Sequence, residues 1–234
     1  MKTMKKLFAG CALALIAGSV MAQTPAYPSK PIRWIVPYTP GGFTDNVTRL
    51  VTARLQTLLG QTIVIENKPG ANSIIGADMV AKANPDGYTI LTVITAHAAN
   101  ATLYEGRLPF DHYKSLAPIS LVAISPLILT VSKDFPAKNV SELIAYARAN
   151  PGKVSFGSSG VGSAAHLTSE LLAHTAGIEM VHIPYKGGAA ARTDVLSGQV
   201  DMMFDAVTTM SENIKAGKVR GLATTGRVRS AVTP

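Results

Sequence analysis

Two short loops in the sequence are suited to meeting an anion. Pro40-Gly41-Gly42-Phe43-Thr44-Asp45 and Gly157-Ser158-Ser159-Gly160-Val161-Gly162-Ser163 each join an apolar, β-branched run to a run with helical spacing. A helix start presents unpaired N–H groups and a partial positive charge, and glycine lets a ligand approach the backbone, so either loop can take a carboxylate. In an open α/β sheet such loops lie at the carboxyl ends of the strands, where ligands bind. Two loops from two lobes could then close on one anion. A plainer role fits the same residues: Gly41-Gly42 as a tight turn with Thr44 or Asp45 capping its helix, and the Ser-Gly loop as a flexible link.

Three further features could face such a cleft. His166 falls in the first turn of the helix after the second loop, aimed at an anion or serving as a cap. Tyr185-Lys186-Gly187-Gly188 ends one strand and opens another helix, and Asp205 follows an apolar strand-like run. The signatures of catalysis are weak or missing. Gly160-x-Gly162-x-x-Ala165 fits a loose dinucleotide fingerprint, but no acid ends the next strand. There is no G-x-S-x-G elbow and no Walker A sequence. The five histidines show no H-E-x-x-H spacing, so no metal or other cofactor is expected.

The elements that would position these residues alternate. The pattern predicts strand Ile32–Val36, a helix from Thr44 with Val47, Leu50, Val51, Leu55, Leu58 and Leu59 inward, and strand Thr62–Glu66. It continues with a helix over 73–83 and strand Tyr88–Ile94. This is βαβ logic and predicts a mainly parallel sheet covered on both faces. Two consecutive apolar runs, Ile119–Ile124 and Leu127–Val131, read as strands without an intervening helix and mark the crossing into a second lobe. Asn139-Val140-Ser141-Glu142 has capping-box spacing before helix Leu143–Ala149. The second lobe then reads as strand Val154–Gly157, helix Ser163–Ala176, strand Met180–Pro184 and helix Ala189–Ser197. Strand Val200–Phe204, helix Ser211–Ala216 and strand Val219–Thr224 follow. The expected organisation is residues 1–22 as a signal segment, 23–125 as lobe one, 126–218 as lobe two, and 219–234 as a second hinge region and chain end.

Composition narrows the partners. The 234 residues are 47% hydrophobic and 15% charged, which argues against a disordered, charge-rich chain. Lys2, Lys5 and Lys6 precede an apolar run from Leu7 to about Ala17, and Val20-Met21-Ala22 suits a cleavage site, so a secreted chain starting at Gln23 is expected. That cleavage would remove the single cysteine, Cys11, and lower the formal charge of +8 by three. The remaining basic residues are scattered, unlike the clustered footprint of a nucleic-acid binder.

Six ordered motifs carry a resemblance across the whole mature chain: the Pro40–Asp45 loop, Glu66-Asn67-Lys68-Pro69-Gly70-Ala71, Pro85-Asp86-Gly87-Tyr88-Thr89, Gly157-Ser158-Ser159-Gly160, His182-Ile183-Pro184-Tyr185-Lys186-Gly187 and Gly198-Gln199-Val200-Asp201. In these the chain resembles substrate-binding proteins of the tripartite tricarboxylate transporter system, the Bug receptors. The resemblance implies a monomeric periplasmic binding protein of the two-lobed, type II Venus flytrap α/β class. It would close on a small organic carboxylate and deliver it to a membrane permease without catalysis. It places the ligand on Gly41, Gly42, Phe43, Thr44 and Asp45 and on Ser158, Ser159, Gly160, Gly162 and Ser163. Asp205 and the Thr95-Ala96 strand end would contribute further. Family members continue well past Pro234 with a tail that returns to the first lobe, so an incomplete first lobe is expected. The rival readings are a nucleotide-binding α/β enzyme and a non-functional receptor remnant.

Overall fold

The computed structural model describes residues 26–233, so the expected signal segment and Cys11 lie outside the described residues. The first lobe is built on a three-stranded parallel sheet, β2-β1-β3, from β1 (Ile32–Val36), β2 (Ile63–Asn67) and β3 (Thr89–Leu91). Its helices are α1 (Phe43–Leu59), α2 (Ile74–Ala81) and α3 (Thr95–Leu103). Gly60 ends α1 at φ +63°, the left-handed exit that glycine takes without a Cβ penalty.

The inner face of α1 differs from the expected one. Val51, Leu55 and Leu59 pack on Ile32, Trp34 and Ile63 as the spacing predicts. Leu50 and Leu58, however, are 76% and 66% exposed, and the most buried positions are Thr44, Asp45, Thr48 and Thr52. A chain of hydroxyls makes this polar row tolerable. The Trp34 indole donates to Thr92 Oγ1 at 2.7 Å, Thr92 Oγ1 lies 2.9 Å from Thr48 Oγ1, and Thr48 donates to the Thr44 carbonyl at 2.8 Å. Each buried polar atom in the series has a partner, which removes the desolvation penalty.

The second lobe carries a five-stranded sheet in the order β6-β5-β7-β4-β8. Its strands are β4 (Leu127–Ser132), β5 (Val154–Ser158), β6 (Met180–Pro184), β7 (Met202–Ala206) and β8 (Val219–Thr224). Between them run α4 (Val140–Ala149), α5 (Ala164–Ala176), α6 (Gly188–Leu196) and α7 (Val207–Lys215). Strand alternation divides the core between the two faces. Leu129, Val131, Met202 and Phe204 meet Leu143 and Phe156 on one side, while Ile128 and Met203 meet Val195 and Met210 on the other. Asn139 caps α4, accepting the Glu142 N–H at 2.9 Å. Glu142 turns back as expected but accepts the Lys138 N–H, at 2.7 Å.

Four expectations need correction. The first lobe's sheet is parallel as expected, but the second lobe's is mixed, since β4 runs antiparallel to both β7 and β8. Ile119–Ile124 is no strand: β4 already has a neighbour on each side, and Ile119, Leu121 and Ile124 are about four-fifths exposed. Val219–Thr224 forms the expected strand, but as the edge strand of the second sheet, so these residues of the expected 219–234 hinge region belong to the second lobe. Thr95-Ala96 is not a strand end, because β3 stops at Leu91 and these residues open α3.

Candidate functional site

The first loop is occupied by its own helix. Asp45, 2% exposed, accepts the Gly41 N–H at 3.0 Å and the Arg49 Nε–H at 2.9 Å on one oxygen, and the Asn67 amide at 3.0 Å on the other. Burial pushes this carboxyl up, but Arg49, the Gly41 N–H and Asn67 together outweigh it and hold the group below its usual range. Gly41, at φ +78°, turns its carbonyl to the second lobe, where Arg192 Nη2 donates to it at 2.8 Å. Arg192 Nη1 lies 2.9 Å from Asp205 Oδ2, and the Ala206 N–H donates to Oδ1 at 2.8 Å. Gly41, Asp45 and Asp205 thus belong to one network, with Arg192 as its bridge between lobes.

The second loop is also internally bonded. Ser158, fully buried at the end of β5, accepts the Gly160 N–H at 3.1 Å, and its Oγ lies 2.6 Å from His182 Nε2. The Gly162 N–H donates to His166 Nδ1 at 3.0 Å, and Ser163 caps α5 by accepting the His166 N–H at 3.3 Å. The His166 ring stacks on His182 with centroids 4.1 Å apart and puts Nε2 3.6 Å from Glu170. His166 is therefore a cap and stacking residue turned into its own lobe, contrary to an aim at a ligand. Burial, with His166 adding to it, lowers His182 to about 4, so this ring is neutral at pH 7.

The open space lies beside these loops. A cavity of about 200 Å³ is walled by Tyr38, Gly70–Ser73 and Tyr104 from the first lobe and by Ser159–Val161 and Pro184–Lys186 from the second. Of the residues expected to bind, Ser159 and Gly160 reach this wall. Gly41, Gly42, Phe43, Thr44, Asp45, Thr95, Ala96, Ser158, Gly162, Ser163, His166 and Asp205 do not. Lys186 and Tyr185, noted as a third candidate loop, do line it. Tyr38, Asn72, Ser73 and Tyr104 were missed, although the turn Asn67–Asn72 was visible as Gly/Pro/Asn punctuation. The Tyr38 hydroxyl is buried, and burial pushes it up to about 12, with the nearby Ser73 hydroxyl opposing.

The lobes touch around this cavity. The Thr39 N–H donates to the Lys186 carbonyl at 3.3 Å. A Cβ on Gly160 would stand 2.9 Å from Asn72 Oδ1, and one on Gly162 would stand 2.6 Å from Leu103 Cδ1. These glycines are small because the other lobe is there. Gly162, at φ +77°, needs glycine for its backbone as well.

Residues 47–234 match the family model described as the tripartite tricarboxylate transporter family receptor. The chain belongs to this family.

Solved members share its architecture. The periplasmic binding protein BugD is 39% identical with a TM-score of 0.82, the alignment covering 87% of this chain and 68% of BugD. A protein of R. palustris solved with adipate is 34% identical (TM-score 0.80, 87% and 68% covered), and MatC of Rhodopseudomonas palustris with bound malate is 31% identical (TM-score 0.80, 87% and 69% covered). The chain spans about two thirds of the length of these relatives. The two-lobed α/β receptor fold expected from the six motifs is thereby shown, and the cavity lies between its lobes. Among the described residues no helix is long and apolar enough to cross a membrane.

Proposed function

We propose that this protein is a periplasmic solute receptor that closes its lobes on a small organic carboxylate and passes it to the membrane permease of a tripartite tricarboxylate transporter. The observation that carries the reading is the cavity walled by both lobes, with Lys186 and the neutral Tyr38 phenol on its lining. A ligand held by both walls favours the closed form by the difference in its affinity for the two states. About 200 Å³ is below the ~300–1,000 Å³ of drug-sized sites, which suits a small acid of the di- or tricarboxylate or acidic amino acid type. The solved relatives holding adipate and malate support the same class. The protein acts as an exported monomer and makes no covalent bond to its ligand.

The nucleotide-enzyme reading is disfavoured by the Gly160–Ala165 loop itself. A phosphate cradle needs free backbone N–H groups, and those of Gly160 and Gly162 are taken by Ser158 and His166. Calorimetry against malate, adipate, citrate, glutamate, NAD and ATP tests the choice. Saturable binding of an acid is expected; a response to nucleotides alone overturns the reading.

A further inference from the structure

The cavity wall contains a backbone that should not persist unaided. Ala71, Asn72 and Ser73 have φ of +44°, +52° and +75°, three consecutive non-glycine residues in the left-handed region. L-residues visit that region singly and at a penalty, so a run of three requires an outside hold. The hold comes from α3. Asn100, 2% exposed, donates from Nδ2 to the Asn72 carbonyl at 2.8 Å and accepts the Asn72 side-chain amide on Oδ1 at 2.7 Å.

This pairing also fixes which way both amides face. Asn100 must present Nδ2 to a carbonyl, so its Oδ1 faces the Asn72 side chain, which must answer with its own Nδ2. Asn72 Oδ1 is left pointing at Gly160 of the opposite lobe, buried and without a hydrogen-bond partner among the described residues. Asn72 is thus both cavity wall and landing surface: Gly160 approaches its Oδ1, and Gly162 its Nδ2 and the α3 residues Ala99 and Leu103.

We infer that Asn100 is a positioning residue for the ligand cleft, holding the strained Ala71–Ser73 segment in the one conformation on which the second lobe can close around a carboxylate. It touches no ligand. The inference rests on the carboxylate-receptor reading for its functional meaning. Its structural half stands separately. Without Asn100 the segment relaxes to right-handed backbone, Asn72 leaves the wall, and apparent affinity falls by the fraction of molecules still competent.

The test combines calorimetry with peptide-level hydrogen exchange over residues 68–76 in ligand-free protein. Asn100→Ala should weaken binding of the best acid by about tenfold or more, the result of a competent fraction near one in ten. Exchange should speed up in this segment while the second lobe keeps wild-type protection. Adding Ala71→Gly and Ser73→Gly to Asn100→Ala should restore most of the affinity, because glycine takes positive φ without strain. A merely structural asparagine would not be rescued in this way. Asn100→Ser, which keeps a hydroxyl in the site but cannot reach both Asn72 atoms, serves if the alanine variant fails to fold and should show the same effects. Unchanged exchange in the folded variant, or a glycine triple variant no better than Asn100→Ala, overturns the inference. If the wild type binds no acid, the receptor reading fails, while the exchange result still decides what Asn100 holds.

Discussion

Replacing Arg192 with alanine tests whether a buried ion pair fastens the second lobe to the first. The guanidinium places Nη1 2.9 Å from Asp205 Oδ2 and Nη2 2.8 Å from the Gly41 carbonyl, and the Arg192 and Asp205 side chains are 15% and 11% exposed. Its removal has two separable consequences. Inside the second lobe it strands Asp205, and breaking a buried pair from one side costs about 3–5 kcal/mol. Between the lobes it deletes a charge-assisted hydrogen bond made only when they meet, about 1.5–3 kcal/mol. That is roughly 10- to 150-fold in the closed-to-open ratio, at about 1.4 kcal/mol per tenfold. Urea unfolding at pH 7 reads the first loss and calorimetric affinity the second. The double variant Arg192→Ala/Asp205→Asn separates them, since it removes the stranded charge and keeps an acceptor for the Ala206 N–H: most of the stability should recover while affinity stays low. Burial raises the Asp205 carboxyl above its ordinary value, and Arg192 is the chief opposing influence. A carboxyl raised in the folded state favours folding most at low pH, and that contribution is lost as pH rises through the folded value. Taking Arg192 away raises the folded value further, so the penalty of Arg192→Ala should shrink between pH 7 and pH 5. An Arg192→Ala protein within ~0.5 kcal/mol of wild type at pH 7, the range of an ordinary surface substitution, refutes the reasoning.

Two further outcomes follow from particular contacts. Gly162→Ala puts a Cβ at φ +77° and 2.6 Å from Leu103 Cδ1 in the other lobe, so calorimetry should show acid affinity down by about tenfold or more and urea unfolding a loss of only ~1–2 kcal/mol; wild-type affinity would mean the lobes do not close on this glycine. His182 is held to about 4 against ~6.5 unfolded, so the unfolded chain takes up the proton first and stability falls as pH drops from 6.5 towards 4. The full shift would be worth ~3 kcal/mol, and partial exposure of the ring discounts it to about 1–2. His182→Gln should flatten that part of the urea-derived pH profile, and a profile that keeps its slope would assign the loss elsewhere.

The elements were legible because their signals are local. Asn139 and Glu142 announce α4, Gly60 and Gly177 end their helices in the left-handed conformation, and Met180–Pro184 has the bounds its apolar run indicates. What failed depended on partners elsewhere in the chain. Ile119–Ile124 has strand composition yet pairs with no strand of either sheet, and within the buried Thr44-Thr48-Thr52 row Thr48 finds its side-chain partner in Thr92, 44 residues on. Within the candidate site, too, the local hydrogen bonds were not legible. Spacing shows that Gly41 and Gly162 lie in loops leading into helices, but it does not show that Asp45 and His166 already take their N–H groups. Asn72 and Asn100 stand 28 residues apart, and no motif links them.

The glycines that suggested a carboxylate clamp have a different consequence for selectivity. Gly160 and Gly162 let the lobes approach each other, and Arg192 fastens that approach at Gly41, outside the cavity wall. Contacts made between lobes, rather than to the ligand, shift the open–closed balance by the same amount whatever acid is inside. They scale every affinity by a common factor and leave the ranking unchanged. Ranking is a difference of affinities and must come from groups that meet the variable part of the ligand. On this wall those are Tyr38, the Ala71–Ser73 segment, Tyr104 and Lys186. Arg192→Ala should therefore lower malate and adipate binding in parallel, whereas substitutions at Tyr38 or Tyr104 should change their ratio.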